Sequence, residues 1–183
     1  MNIPNLLTTL RVLSIPLLVI FLMNEQRHFA WWLFGFAAFT DGLDGFIARV
    51  FHQKTLLGAY IDPIADKLLI GATYITMAIL GWLPGWLCVL VISRDLIIFI
   101  GIGILYAVGK KFTVAPVLDS KLTTLMQLLT IFYYLYDKSP LFLVESEPYI
   151  LFFTAAMTLF SGLHYLYLGF AILGGNHLNG SGT

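Results

Sequence analysis

Four aspartates fall within 26 residues of a chain that is otherwise strongly apolar, in the stretch "DGLDGFIARVFHQKTLLGAYIDPIADK" from Asp41 to Lys67. Asp41 and Asp44 are three positions apart, and Asp62 and Asp66 are four apart. On helices, each spacing brings its two carboxylates onto one face. A carboxylate at membrane depth costs about 2.5–3.5 kcal/mol on insertion scales, so four together need cations. Clustered oxygen ligands without His or Cys suit Mg²⁺, Mn²⁺ or Ca²⁺ better than zinc. Four carboxylates can hold two such ions about 3.5–4 Å apart, which clamps the attacking and leaving oxygens of a phosphoryl transfer. The charge pattern alone fits an ion or proton pathway equally well.

The elements that carry these acids follow from composition. Of 183 residues, 59% are hydrophobic and 11% charged, with zero net charge, and the mean hydropathy is +0.88. Soluble domains average roughly 45–50% apolar and 25% charged residues, so the sequence predicts an all-α integral membrane protein. Zero net charge gives no support to a nucleic-acid partner. Cys88 stands alone, which excludes a disulfide framework. The N-terminus lacks a basic n-region and reads as a retained segment.

Apolar stretches near 20 residues predict six membrane helices, at about 7–24, 30–49, 58–80, 85–108, 118–136 and 148–173. A short interfacial helix is expected before the first, in "NIPNLL". One domain over 1–173 and a flexible tail over 174–183 complete the expected organisation. Arg11, Arg49, Lys54, Lys110 and Lys111 fall on one side and Arg27 and Lys138 on the other. The positive-inside bias makes the first side cytoplasmic, with both termini there. Asp44 then lies level with Asp62, and Asp41 with Asp66.

"DGLDGFIAR", eight residues, and "GAYIDPIAD" match DxxDGxxAR...GxxxDxxxD at every fixed position. On this motif the chain resembles the CDP-alcohol phosphotransferase family. "NIPNLLTTLRV" and "LFSGLHYLYLG" are similar to its phosphatidylglycerophosphate-forming branch, while "ISRDLI" and "SKLTTLMQL" look as much like its cardiolipin-forming members. The resemblance implies a six-helix membrane enzyme, a homodimer with its site open to the cytoplasm. Its donor would be CDP-diacylglycerol and its cofactors two divalent cations, Mg²⁺ or Mn²⁺. Asp41, Asp44 and Asp62 would be metal ligands, and Asp66 would complete the metal site and act as the base. Gly45, Ala48, Arg49 and Gly58 would surround the cytidine diphosphate, with Asn5 and Thr8 reaching it from the interfacial helix. The acceptor expected is glycerol 3-phosphate, with phosphatidylglycerol as the alternative. A membrane transporter with an acidic cation site is the alternative of another class.

Outside the motif, Lys121 is a candidate for binding an acceptor phosphate, helped by Lys110 and Lys111. Arg94 and Asp95 read as an interhelical ion-pair or hydrogen-bond network rather than catalytic groups. His164 reads as a satisfied core histidine, and Trp31, Trp32, Trp82 and Trp86 as an aromatic belt.

Overall fold

In a computed structural model of the chain, the described residues are 3–50, 56–108, 118–136 and 141–173, with side chains described for 9–40, 64–105, 107–108, 119–136 and 146–172. They form six α-helices: α1 Ile3–Met23, α2 Arg27–Val50, α3 Leu56–Ile79, α4 Gly85–Ala107, α5 Leu118–Leu135 and α6 Leu141–Leu173. The loops carrying Lys54, Lys110, Lys111 and Lys138, and the expected tail 174–183, lie outside the described residues.

Two turns are closed by the same device. After α1, Gln26 N donates to Phe21 O and Glu25 N to Leu22 O, both at 2.9 Å. After α3, Trp82 N donates to Met77 O at 2.9 Å and Gly81 N to Ala78 O at 3.1 Å. This doubled pattern places the residue after the helix in the left-handed region. Gly81 sits there at φ 71°, and Glu25 takes the same role at φ 57°.

Helix α1 packs on α2 and α3, α3 on α4, α4 on α6, α6 on α5, and α5 returns to α2 and α3. The core lies toward the α1–α2 and α3–α4 turns, where Leu18, Leu22, Phe34, Tyr74, Met77, Leu87 and Ile131 are fully buried. The exterior is also apolar, with Phe99, Tyr149, Phe152 and Phe170 exposed. Among the described residues, two helices are long and apolar enough to cross a membrane, over Gly85–Leu105 and Ser146–Ile172. Arg27 lies 3.9 Å from the Trp82 ring, and Trp32 and Trp86 are exposed toward the same end.

Two expectations are corrected. Helix α1 runs without a break from Ile3, so among the described residues "NIPNLL" forms no separate helix before it. Pro4 stands in the first turn, where a missing N–H costs nothing, and the apolar run simply continues. Helix α6 starts at Leu141 rather than 148, with Pro148 inside it. The residues before 148, which lie outside the expected span, are thus helical from Leu141. The helix gives up one backbone bond at Pro148, and Glu147 accepts a 2.7 Å hydrogen bond from Tyr134 of α5, fastening this end.

Buried threonines join the helices without orphaned hydroxyls. Thr73, Thr130 and Thr158 each donate to the carbonyl four residues back. Across α5 and α6, Thr130 and Thr154 hydroxyls meet at 2.7 Å. Thr154→Val is expected to lower stability in detergent by about 0.6 kcal/mol, the usual worth of such a contact between membrane helices. A thermal midpoint unchanged from the parent protein would show that the contact contributes nothing.

Candidate active site

The aspartates are carried by the halves of α2 and α3 remote from the core. Asp41, Asp44, Gly45, Ala48 and Arg49 belong to the last turns of α2, and Gly58 and Asp62 to the first turns of α3. Asn5 and Thr8 lie in the first turns of α1. The side chains of all nine are outside the described residues. Helix α3 starts at Leu56, so it is already under way when it reaches Asp62 and Pro63. That continuity keeps Asp62 and Asp66 one turn apart on one face.

Asp66 is described, and its partner was not anticipated. Arg11 of α1, with a fully buried side chain, places Nη1 2.8 Å from Asp66 Oδ1. Arg11 also lines a cavity together with Thr40, the residue before Asp41. Arg11 is thus paired with α3 and shares a cavity with α2. In the sequence Arg11 served only as a mark of sidedness, because nothing local to α1 shows where its side chain is buried.

Immediately after Asp66, Lys67 reaches Asp95 of α4, Nζ to Oδ1 at 2.6 Å. The same oxygen receives Arg94 Nη1 at 2.7 Å. Arg94 Nη2 then donates to Ser120 Oγ of α5 at 2.8 Å and to Ser161 Oγ of α6 at 2.7 Å. The stem of Arg94 crosses α6 at Gly162, where an added Cβ would stand 3.5 Å from its Cγ. Arg94 and Asp95 thus form the interhelical network expected of them. His164 is satisfied as well: its Nδ1 lies 2.6 Å from Asp119 Oδ2, although the side chain is half-buried rather than core. Lys121 is exposed on α5, while its neighbour Ser120 meets Arg94.

The network also fixes how deep α5 starts. Beyond Arg94 and Ser161, α4 and α6 continue for about 20 Å and 18 Å to Ala107 and Leu173. Ser120 is only about 3 Å from the start of α5. The first described turn of α5 therefore lies at the level of Lys67 and Arg94.

Can the residues hold the divalent cations expected? Among the described residues no three potential ligands gather, because three of the four aspartates have undescribed side chains. The donor chemistry fits, with oxygen ligands only, in pairs on single helix faces. Arg11 pairs with Asp66 of α3 and lines the same cavity as Thr40, the residue before Asp41 in α2.

Residues 1–167 match the CDP-alcohol phosphatidyltransferase family, and the chain belongs to that family. It is 38% identical over 171 residues to the CDP-diacylglycerol--glycerol-3-phosphate 3-phosphatidyltransferase of Escherichia coli K12, covering 90% of this chain and 93% of that one. The protein of the same name from Salmonella choleraesuis is 37% identical over 174 residues, again covering 90% and 93%. A probable phosphatidylglycerophosphate synthase of Mycobacterium tuberculosis H37Rv is 36% identical over 137 residues, 71% of this chain. The match spans 64% of that relative's length, just under two thirds.

Proposed function

We propose that this chain is a membrane enzyme that transfers the phosphatidyl group of CDP-diacylglycerol to a hydroxyl of glycerol 3-phosphate, giving phosphatidylglycerophosphate and CMP. The observation that carries the reading is that Asp66, the last residue of the motif, is followed directly in α3 by Lys67, which shares one oxygen of Asp95 with Arg94. The acceptor hydroxyl would lie at Asp66 and its phosphate one residue further along α3, against two cations that share a single carboxylate oxygen. A dianion suits that site better than a neutral polyol. Ser120, Ser161 and the start of α5 offer further donors nearby, and Lys121 would stand at its rim. Relatives named for this reaction support it further, whereas none of those described above is named for transport or cardiolipin synthesis.

The acceptor oxygen attacks the phosphorus that bears the diacylglycerol, the bond to the CMP oxygen breaks, and Asp66 takes the hydroxyl proton. Displacement at phosphorus needs positioning and charge neutralisation more than covalent help. Asp41, Asp44, Asp62 and Asp66 would hold two divalent cations, Mg²⁺ or Mn²⁺, whose chemistry is to neutralise the diphosphate and the departing CMP. Arg49, Gly45, Ala48, Gly58, Asn5 and Thr8 would seat the cytidine diphosphate, with Arg49 paired to phosphate. Arg11 keeps one oxygen of Asp66 engaged and so orients its carboxyl group.

The six helices would each cross the cytoplasmic membrane, with the aspartates facing the cytoplasm and the protein acting as a homodimer. The apolar exterior and the loop charges support that topology. In the deciding experiment, purified protein receives CDP-diacylglycerol with either glycerol 3-phosphate or phosphatidylglycerol, and the lipid product is identified by mass. Phosphatidylglycerophosphate and CMP are expected with the first acceptor and only when Mg²⁺ or Mn²⁺ is present. Cardiolipin formed from the second, with no product from the first, would overturn the acceptor. Undiminished CMP release in excess chelator would overturn the metal requirement.

A further inference from the structure

The proposed donor carries two acyl chains, and the structure offers a place for one of them. Helix α1 presents Leu10, Leu13, Ser14 and Leu17, and α2 presents Leu33, Phe36, Ala37 and Thr40, as the walls of a cavity of about 220 Å³. Both sets follow the i, i+3, i+4, i+7 stripe of one helix face. The rim residues Leu13 and Phe36 are 62% and 61% exposed, so the cavity opens sideways to the surroundings of the bundle. Its floor is Ala37, which is buried.

The two ends differ. At one end stand Arg11, ion-paired to Asp66, and Thr40, which precedes Asp41. At the other stand Leu17 and Leu33, about 10 Å further from the motif at 1.5 Å per residue. The groove therefore leaves the level of the aspartates and descends toward the bilayer midplane, the direction taken by the tail of a lipid whose phosphate sits at the motif. The hydroxyls within it make no demand on an occupant. Ser14 donates to Arg11 O at 2.6 Å and Thr40 to Ala37 O at 2.9 Å.

A second apolar groove, between α4 and α6, is lined by Ile97, Gly101, Leu105, Tyr165, Gly169 and Ile172. It runs from the level of Arg94 along α4 and α6 in the direction of Leu105 and Ile172. None of its walls belongs to α1, α2 or α3, whereas the α1–α2 groove includes Arg11 and Thr40.

We propose that the α1–α2 groove binds the upper part of one acyl chain of CDP-diacylglycerol, with Ala37 setting the room available beside the phosphate. This rests on the reaction proposed above. Filling the floor with Ala37→Leu excludes roughly two methylenes, worth about a factor of ten in affinity. The KM for a long-chain donor is expected to rise about tenfold, while that for a water-soluble donor with acyl chains of only a few carbons shifts less than twofold. Equal changes for both donors, or none for the long-chain one, would overturn the groove.

An arm that needs no substitution uses a CDP-diacylglycerol with a diazirine in one acyl chain, photolysed with the unaltered protein. Adducts on Leu13, Leu17, Leu33 or Phe36 support the groove, and adducts confined to α4 and α6 overturn it. This arm also separates the two proposals. If the unaltered protein releases no CMP from either donor, the reaction is wrong, and the adduct map still decides where the lipid lies.

Discussion

Asp66→Asn is expected to slow CMP release by about 10²–10⁴-fold, the usual loss when a positioned proton acceptor is removed, while binding of a non-hydrolysable CDP-lipid analogue is largely kept. Asn keeps an oxygen near Arg11, which stands 2.8 Å from Asp66 Oδ1, but not the charge, so some loss of stability is expected beside the loss of turnover. Asp41→Asn and Asp62→Asn are expected to lose turnover and analogue binding together. Each takes a carboxylate from the cation site, and without the cations nothing of equal charge faces the diphosphate. Binding measured by calorimetry in detergent, beside CMP release for the same three preparations, separates the roles. If Asp66→Asn loses the analogue as completely as the other two, Asp66 serves as a ligand and the base lies elsewhere.

What the sequence made legible was local. The helix count follows from apolar run length, and the four aspartates from spacing, since i+3 and i+4 fix a shared face whatever surrounds the helix. The network remote from the motif was only half legible. Arg94 and Asp95 are adjacent and lie within an apolar helix, so a polar network was expected. Its other members, Lys67, Ser120 and Ser161, are separated by 26 to 67 residues from their partners. Only packing brings those together. Arg11 illustrates the same limit, because a buried cation takes its partner from another helix and α1 carries no periodic sign of it. The groove between α1 and α2 was invisible for a different reason. In helices that are apolar on every face, no residue type distinguishes a wall from a packed surface. The start of α6 was not legible either, because the Tyr134–Glu147 bond that fastens the turn before Pro148 joins two helices.

Asp95→Leu is expected to destabilise the protein by about 3–5 kcal/mol, the cost of leaving buried charges without their counter-ion. One oxygen of Asp95 receives both Lys67 Nζ at 2.6 Å and Arg94 Nη1 at 2.7 Å, so its loss leaves two cations facing each other. Arg94→Met should cost at least as much, because it forfeits its hydrogen bonds to Asp95, Ser120 and Ser161, each worth roughly 1.5–3 kcal/mol, although Lys67 remains to neutralise Asp95. Lys67→Met should cost under about 1 kcal/mol, because its side chain is 39% exposed and Arg94 still neutralises Asp95. Thermal midpoints in detergent, followed by tryptophan fluorescence, should therefore fall strongly for Asp95→Leu and Arg94→Met and little for Lys67→Met. The milder Asp95→Asn variant links this order to the acceptor. With the carboxylate gone, Lys67 and Arg94 present two cations to whatever anion enters, and glycerol 3-phosphate should raise the midpoint of Asp95→Asn more than that of the unaltered protein. Glycerol, which lacks the phosphate, should raise neither. Equal shifts with glycerol 3-phosphate for the variant and the unaltered protein would place the acceptor phosphate away from Lys67 and Arg94, leaving them as a clamp that holds α3, α4, α5 and α6 at one level.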